Sequence, residues 1–512
     1  MSTDNSVSLL WFRRDLRLDD NAMVTLGTAA GRPVLPLFVI DPWFYEHWAE
    51  VGQARVQFLF ESLVDLDAQL RRRGSRLYLL HGPTVAVLQQ LTQALGDQGY
   101  RPHLWFNRDV QVDYGAARDQ QIQQVYRDLN LPCTVTLSTF LLPEGQGWSQ
   151  WRPAYYSYQQ EPLHSPPARI VTLALPPNLP VLTFADLKAR YPTFWPGRHP
   201  LFRGGATEAH ALLTSFLAGR CRGYTWKLSR PWLAQQGGCS LLSPHFTLGA
   251  LSTRQAYQQA RALRKQTQEA KLILDLRAFQ DRLRWRDSAT QRLLFQPELA
   301  HHNLFPEFDA CYSAEALRGS QRHVLQAWQA GLTGFPLVDA SLRQLRAMGW
   351  MNFRMRAMCA TFLTVNAGIG WQHGAQHYMS CLVDGDVAID HWQWQSQAGV
   401  AHPLSSTFRI YNPTKNLMER DGDLRFIHYW LPELRGYTLE DLLAGRPAAA
   451  GVYPYPILDW AATRRVRGKR VADLRRQVRQ RLETEGGTAY AEAQAAQATV
   501  DAYRQGLTER YP

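Results

Sequence analysis

The sequence predicts two domains of different fold class: an α/β domain with a doubly wound parallel sheet, followed by a larger all-α domain. In residues 1–140, short runs of β-branched and aromatic residues alternate with helical patterns, which is typical of consecutive βαβ units. In residues 206–485, apolar residues recur at helical spacing and strand patterns are scarce. The 512 residues are enough for each domain to bury a hydrophobic core.

The α/β domain has five candidate strands with helical stretches between them. The strands are expected at residues 8–12, 34–40, 76–81, 103–106 and 134–137. The helices are expected at residues 53–73, 85–95 and 116–129. In the first helix Val56, Leu59 and Leu63 are spaced three and four residues apart, so one apolar face packs on the sheet. Ligands of such domains bind at the carboxyl ends of the strands.

Two further segments complete the expected domain organisation. Residues 141–205 are rich in Pro, Gly, Ser and Trp and have poor periodicity, which indicates a partly ordered connector between the domains. Residues 486–512 form a C-terminal tail that is either helical or flexible. Just before the tail, residues 464–481 carry nine Lys or Arg against one acid. That run is either a solvated helix face or a surface for an anionic partner.

The composition limits the possible partners and cofactors. With 56 Lys and Arg against 44 Asp and Glu the net charge is +12, which favours a polyanion as partner but also serves solubility. No apolar run is long enough to span a membrane and no leader pattern begins the chain, so we expect a cytoplasmic protein without membrane contact. The six cysteines form no CxxC pair, so neither a metal site nor a disulfide framework is expected.

The segments at residues 238–244 and 279–286 combine residue types that a plain helical core does not need. Residues 238–244 place small and hydroxyl residues before a helix expected near Pro244, which is either an anion site or an ordinary helix cap. In residues 279–286, Arg284 and Trp285 cannot both face the core. This helix is therefore expected to present a polar side to a cavity or a partner.

Two later segments concentrate charges next to aromatic rings. Arg354 and Arg356 are too close in sequence to share one helix face, so one is expected to point to a buried acid and the other outward. Residues 384–394 then contain three carboxylates and two Trp. Such a mixture is typical of a polar site lined by aromatic side chains.

These segments, behind an α/β domain that begins with WFRRDLR at residues 11–17, resemble the photolyase/cryptochrome family of blue-light flavoproteins. The resemblance spans residues 7 to about 440. It is most specific in WFRRDLR, in GFPLVDASLRQLRAMGW at residues 334–350, and in DGDVA with the following WQW at residues 384–394. It implies that the helical domain binds FAD and that the α/β domain could hold an antenna chromophore, a folate or a deazaflavin.

By this resemblance, a set of residues is expected to bind the cofactor. Tyr224, Ser240, Leu242 and Ser243 match residues that hold the phosphate and ribose region. The residues expected around the flavin ring are Phe279, Arg286, Phe353, Arg356, Asp384, Asp386 and Asp390. Among these, Arg356 and Asp384 match a buried ion pair, and Asp390 matches the residue beside flavin N5, where familiar dimer photolyases have Asn.

The resemblance also implies an electron relay and a lesion site. Trp392 and Trp371 match the inner members of the relay that reduces the flavin after light absorption. The outer Trp is missing, so either Tyr312 ends the chain or the relay runs through Trp350 or Trp328. Trp285 and Trp394 match the aromatics that flank a flipped lesion, and the remaining residues expected to contact DNA are Arg282, Arg354, Arg409 and Lys415.

The function implied is repair of UV-induced pyrimidine dimers in DNA by electron transfer from excited reduced FAD, by a monomeric lyase-type enzyme. The alternative is a cryptochrome-like photoreceptor that signals to a partner and repairs nothing. Two departures favour the alternative: Asp390, as in plant cryptochromes, and Arg282, which stands where a carboxylate commonly binds the dimer. The iron–sulfur branch of the family is disfavoured because no Cys follows Cys381.

Overall fold

The computed structural model describes residues 5–29, 31–47, 51–110, 113–197, 199–317, 319–405 and 408–487, together with residues 491 and 494 of the tail. Most of the predicted C-terminal tail therefore lies outside the described residues. The described part confirms the predicted fold class, a parallel α/β domain followed by a helical domain. The boundaries at residues 140, 205 and 485 stay predictions.

The α/β domain is built on a six-stranded sheet with the order β5-β4-β1-β2-β3-β6. Strands β1 and β2 are buried along their whole length, as expected for a parallel sheet covered on both faces. All pairings are parallel except that of β6 with β3. The strands are β1 Ser6–Phe12, β2 Val34–Ile40, β3 Tyr78–His81, β4 Arg101–Arg108, β5 Cys133–Leu137 and β6 Val181–Leu182.

The five predicted strands are all present, and the largest difference is in β4, which is twice as long as expected. Its polar end residues Arg101 and Arg108 carry no strand pattern, but their backbones pair with β1 and β5. The helices that cover this sheet are Ala22–Ala29, Gln53–Arg71, Thr84–Asp97 and Asp113–Asp128. The first of them was not expected from the sequence.

The connector is more ordered than its composition indicates. It contains the helices Trp148–Tyr158 and Phe184–Arg190, and β6 lies between them at the edge of the sheet. A strand of two residues is too short to show a pattern in sequence. The connector also contacts the helical domain, because the Gln258 side-chain amide donates hydrogen bonds to the carbonyls of Gln159 and Glu161.

The helical domain packs its helices around two aromatic cores. Its longer helices are Ala206–Ser215, Thr253–Gln266, Ala270–Phe295, Ser320–Ala330, Pro336–Met348, Phe353–Thr361, Trp371–Cys381, Val387–Gln397, Pro413–Arg420 and Trp460–Glu485. The shorter ones are Tyr224–Lys227, Pro231–Leu233, Ser243–Thr247, Arg425–Trp430, Leu439–Leu443 and Arg446–Ala449. None of the described helices is both long and apolar enough to cross a bilayer.

The basic run 464–481 lies within the helix Trp460–Glu485 and is not uniformly solvated. Arg475 is only 3% exposed. Its guanidinium donates hydrogen bonds to four carbonyls in the turn after Val387–Gln397, those of Gly399, Ala401, His402 and Ser405. This arginine therefore fastens the helix onto the domain. Two further arginines of the run contribute, because Arg470 donates to the Ala310 carbonyl and Arg481 pairs with Glu307.

Candidate functional site

A deep cavity in the helical domain gathers most of the predicted cofactor residues. Its walls come from the helices Ala270–Phe295, Phe353–Thr361, Trp371–Cys381 and Val387–Gln397 and from the loop before Ser243–Thr247. The predicted cofactor residues that line it are Tyr224, Ser240, Ser243, Phe279, Arg286, Phe353, Arg356, Asp384, Asp386 and Asp390. Leu242 is not among the lining residues; its side chain is fully buried in the core cluster beside Phe279.

A buried ion pair lies in the wall of this cavity. Arg356 Nη2 donates to both carboxylate oxygens of Asp384 at 2.9 Å, and its Nε donates to the Met351 carbonyl. Burial opposes the charge on Arg356, but the Asp384 carboxylate outweighs it and raises the pKa of the guanidinium. Arg354, two residues earlier, lines a separate outer groove. The expected division of these arginines, one inward to an acid and one outward, is confirmed.

The second carboxylate of the DGDVA motif is held by a residue of the other domain. Arg14, from the loop after β1, forms a 3.0 Å ion pair with Asp386, and Asp386 also accepts the Ala388 N–H at the start of its helix. Burial alone would raise the pKa of Asp386, but the charges of Arg14 and Arg286 hold it below its usual value. Sequence reasoning missed Arg14 as a site residue, although it is the second Arg of WFRRDLR.

The loop before Ser243–Thr247 brings hydroxyl groups to one end of the cavity. Leu241 has a left-handed backbone, with φ of 60°, and the Leu242 N–H donates to Ser240 Oγ at 3.4 Å. Arg220 donates to the carbonyl of Gly237 and so braces this loop from behind. Ser240 and Ser243 both line the cavity. This is the end where a phosphate-bearing part of a ligand would find hydroxyl donors.

The polar groups of the cavity fit FAD. Several polar atoms of lining residues are buried without a hydrogen-bond partner among the described residues, among them Arg286 Nε, Asn352 Oδ1 and Trp394 Nε1. Buried donors and acceptors are normally satisfied, so these atoms indicate a polar ligand. An isoalloxazine ring offers both donors and acceptors on its edge, and the fixed cations suit its reduced, anionic form.

Trp394 lies deeper than the lesion position expected for it. It is 1% exposed, lines the cavity, and packs on Tyr378 with ring centroids 4.8 Å apart. Trp328 contacts both rings, at 5.9 Å from Tyr378 and 6.1 Å from Trp394. The three rings form a buried cluster that extends from the cavity into the core.

Trp392, Trp371 and Tyr312, predicted for the electron relay, lie outside the cavity lining, whereas Trp350, one of the two alternatives, lines the cavity. Trp392 has the Arg292 guanidinium 4.1 Å above its ring and His402 at its edge. Trp371 donates its indole N–H to Asn303, and Tyr312 donates its hydroxyl to the Ala398 carbonyl. The helix Val387–Gln397 is continuous, so Trp394 shares a face with Asp390 four residues earlier, whereas Trp392 is turned away.

The mouth of the cavity holds an arginine between two aromatic rings. The Arg282 guanidinium carbon lies 4.4 Å from the ring centroid of Trp285 and 4.4 Å from that of Phe353. All three residues line the cavity, and Phe353 is 38% exposed. Trp285 and Arg282 are therefore at the opening of the cavity, and their contact with a lesion stays a prediction.

A basic groove lies beside this mouth. The predicted phosphate contacts Arg354, Arg409 and Lys415 all line it. Burial lowers the pKa of Arg354, and the nearby charges of Arg420 and Arg409 add to that effect. Sequence reasoning missed two further lining residues, Arg420 and Arg464, although Arg464 begins the basic run.

A second cavity lies at the carboxyl ends of β1 and β2, next to the helical domain. It is lined by aromatic and aliphatic side chains together with Arg13 and Arg118. These two guanidinium groups lie 4.7 and 4.9 Å from the ring centroid of Trp11. The cavity is at the edge of the sheet where ligands of doubly wound domains bind.

Comparison with known proteins agrees with both halves of the chain. A family model described as DNA photolyase matches residues 8–158, and one described as the FAD-binding domain of DNA photolyase matches residues 279–473. A deoxyribodipyrimidine photo-lyase of Synechococcus sp. is 31% identical over 475 residues, which cover 88% of this chain and 93% of that protein.

Two solved structures share the fold over nearly the whole length. A class III photolyase from Agrobacterium tumefaciens has a TM-score of 0.78 and 25% identity, covering 93% of this chain and 99% of its own. An archaeal photolyase from Sulfolobus tokodaii, solved with two FAD molecules, has a TM-score of 0.74 and 25% identity, covering 92% and 100%. The chain therefore belongs to the photolyase/cryptochrome family, and its helical domain is the FAD-binding domain of that family.

Proposed function

We propose that this chain is a light-dependent DNA repair enzyme that splits UV-induced pyrimidine dimers and acts as a cytoplasmic monomer. The observation that carries the proposal is the placement of the cavity mouth directly beside the basic groove. Phe353 lines the mouth and Arg354, the next residue, lines the groove. A flipped lesion can thus enter the cavity while the flanking backbone phosphates stay in the groove.

Reduced FAD would be held by residues such as Tyr224, Ser240 and Arg356. When bound, it would supply a light-driven electron to the dimer and recover that electron after the dimer bonds have split. The protein orients the lesion and keeps charges fixed around the cavity. Arg356 and Arg286 are held by Asp384 and Asp287, so their positive charges do not have to reorganise during the reaction. The surrounding buried side chains exclude water, which strengthens these electrostatic interactions.

The electron path that restores the reduced flavin is proposed to begin at Trp394 rather than at Trp392. Trp394 lines the cavity, and Trp328 is the next tryptophan within the aromatic cluster. Tyr378 bridges the two rings. Trp328, one of the two alternatives that the sequence leaves open, is then the second member of the electron relay. Trp371 and Tyr312 stay predictions.

The second cavity is proposed to hold an antenna chromophore. Its mixture of aromatic rings and guanidinium groups suits a flat aromatic molecule with an acidic substituent. The Sulfolobus structure with two FAD molecules was interpreted as showing a light-harvesting cofactor in that protein. The lining residues fit a folate and a deazaflavin equally well.

Repair is tested by illuminating the photoreduced holoprotein with oligonucleotides that carry one defined cyclobutane dimer or one (6-4) product, as single strands and as duplexes. We expect loss of one lesion type under blue light and no loss in the dark. If both lesions persist on both strand forms, the repair proposal is wrong. That outcome favours the cryptochrome-like photoreceptor, whose supporting observation is that Arg282 already fills the opening.

A further inference from the structure

Arg282 occupies the place between two rings where a flipped base would be expected to stack. Its guanidinium is planar and lies 4.4 Å from the centroid of the Trp285 ring and 4.4 Å from that of the Phe353 ring. Two such contacts with one cation are each favourable and together fix the guanidinium in the slot. The opening is therefore filled by a side chain of the protein itself.

Within the described part of the chain, the two ring contacts are the interactions that hold this guanidinium. The adjacent carboxylate, Asp281, is engaged with Arg284 at 3.1 Å. No hydrogen bond or ion pair to Arg282 occurs among the described residues, and its charge acts on Arg354 in the basic groove. The side chain can consequently leave the slot without breaking an ion pair, and its donors are then available to a phosphate.

We propose that Arg282 sets the selectivity for damaged DNA by filling the slot between Trp285 and Phe353 until a lesion displaces it. The proposal rests on the proposed function, since it takes the flipped dimer as the ligand. After displacement the guanidinium turns toward the DNA backbone beside Arg354. A carboxylate at this position would bind the lesion by a hydrogen bond. Arg282 instead competes with the lesion for the space between the two rings.

The selectivity depends on the contacts that a dimer and an undamaged base can form with the two rings in place of Arg282. Entry of any base requires loss of the contacts that Arg282 makes with both rings. A dimer presents two linked pyrimidines and can contact both rings at once, whereas a single undamaged base that flips out contacts one face and must also be unstacked. A dimer therefore compensates for the displacement of Arg282 through two ring contacts and the phosphate contact of the released guanidinium, whereas one undamaged base does not and leaves Arg282 in the slot. Without Arg282 the undamaged base can enter, and the preference for damage decreases.

The test compares binding of a labelled single-stranded oligonucleotide containing one cyclobutane dimer with binding of the same undamaged strand. The selectivity ratio is the dissociation constant for the undamaged strand divided by that for the damaged strand. For Arg282→Ala we expect this ratio to fall about tenfold relative to the wild type, which corresponds to the loss of about one stacking contact with a ring. Arg277→Ala, an exposed arginine on the same helix, removes the same charge and should leave the ratio unchanged. Arg282→Lys keeps the charge, so its salt dependence should match the wild type while its ratio still falls.

A second measurement does not depend on DNA. Hydroxyl-radical footprinting of the DNA-free holoprotein should show faster oxidation of Trp285 and Phe353 in Arg282→Ala than in wild type or Arg277→Ala. An unchanged oxidation rate overturns the proposal, as does an unchanged selectivity ratio in a variant that binds damaged DNA. If the wild type itself shows no preference for damage, the proposed function fails, and footprinting alone then reports whether Arg282 covers the rings.

Discussion

Single buried charges are expected to decide whether the cavity holds its cofactor. Arg356 and Asp384 neutralise each other, and the side chain of Asp384 is only 4% exposed. Asp384→Asn leaves the arginine without its counter-charge, which for a buried pair costs about 3–5 kcal/mol. We expect lower FAD content, read from visible absorbance, and a lower free energy of unfolding in urea.

The matched control for this prediction is Asp423→Asn, which removes an acid from an exposed ion pair with Arg425. Surface pairs contribute little, so the change should stay below about 1 kcal/mol. Equal effects of the two substitutions would show that the Arg356–Asp384 pair does not support the cavity.

Two tryptophans only two residues apart differ sharply in their expected effect on flavin photoreduction. Trp394 lines the cavity, whereas Trp392 lies beneath Arg292 and beside His402. Trp394→Phe should slow photoreduction in the presence of a reductant by at least tenfold, because electron hopping needs an oxidisable ring next to the flavin. Trp392→Phe is the control and should photoreduce at the wild-type rate. If Trp392→Phe is the slower variant, Trp392 is the inner member of the relay, as the resemblance implies.

At the level of elements, the cavity wall depends on how closely two helices approach. Gly374 of Trp371–Cys381 faces Trp394 of Val387–Gln397, and a Cβ at Gly374 would lie 2.1 Å from the Trp394 ring. Gly374→Ala therefore forces the ring to move, at a cost of about 1–3 kcal/mol. We expect a lower melting temperature and an altered flavin spectrum.

Gly96→Ala is the matched control for this element. Gly96 lies inside the helix Thr84–Asp97, and a Cβ there meets no atom within 4 Å. Alanine favours the helical state, so this substitution should raise stability by about 0.5–1 kcal/mol. A destabilisation of similar size in both variants would indicate that crowding of Trp394 is not the cause.

For the whole molecule, buried neutral histidines predict loss of stability in acid. Burial lowers the pKa of His391 to about 4 and that of His245 to about 3. In the unfolded chain each histidine binds a proton near pH 6.5, whereas in the folded chain these two do not. The free energy of unfolding therefore has its full value above pH 6.5 and decreases as the pH falls toward 4. His391 alone can account for roughly 3 kcal/mol of this decrease.

The measurement is chemical denaturation of wild type and His391→Asn between pH 4 and 7. The asparagine amide nitrogen lies close to the position of His391 Nδ1 and can donate to the Ala300 carbonyl. The variant should have a flatter pH profile, so the two proteins converge as the pH falls. Parallel profiles would contradict the assignment of this acid sensitivity to His391.

Much of the fold was predictable from local patterns. Strands such as Val34–Ile40 and helices such as Gln53–Arg71 are uniform enough for periodicity to mark them. The wall residues of the cavity were also predictable by resemblance, because motifs such as DGDVA keep their spacing. The exceptions were β6, whose two residues show no pattern, and Leu242, which packs into the core next to residues that face the cavity.

The fold class, the FAD-binding domain and most of the residues around its cavity follow from the amino-acid sequence, since these depend on short-range periodicity and motif spacing. Three features follow from the folded structure alone: Trp394 rather than Trp392 faces the cavity, Arg14 reaches Asp386 from the other domain, and Arg282 lies between two rings. Each of these depends on helix register or on contacts between residues far apart in the chain. Packing fixes such contacts, and no local pattern encodes them.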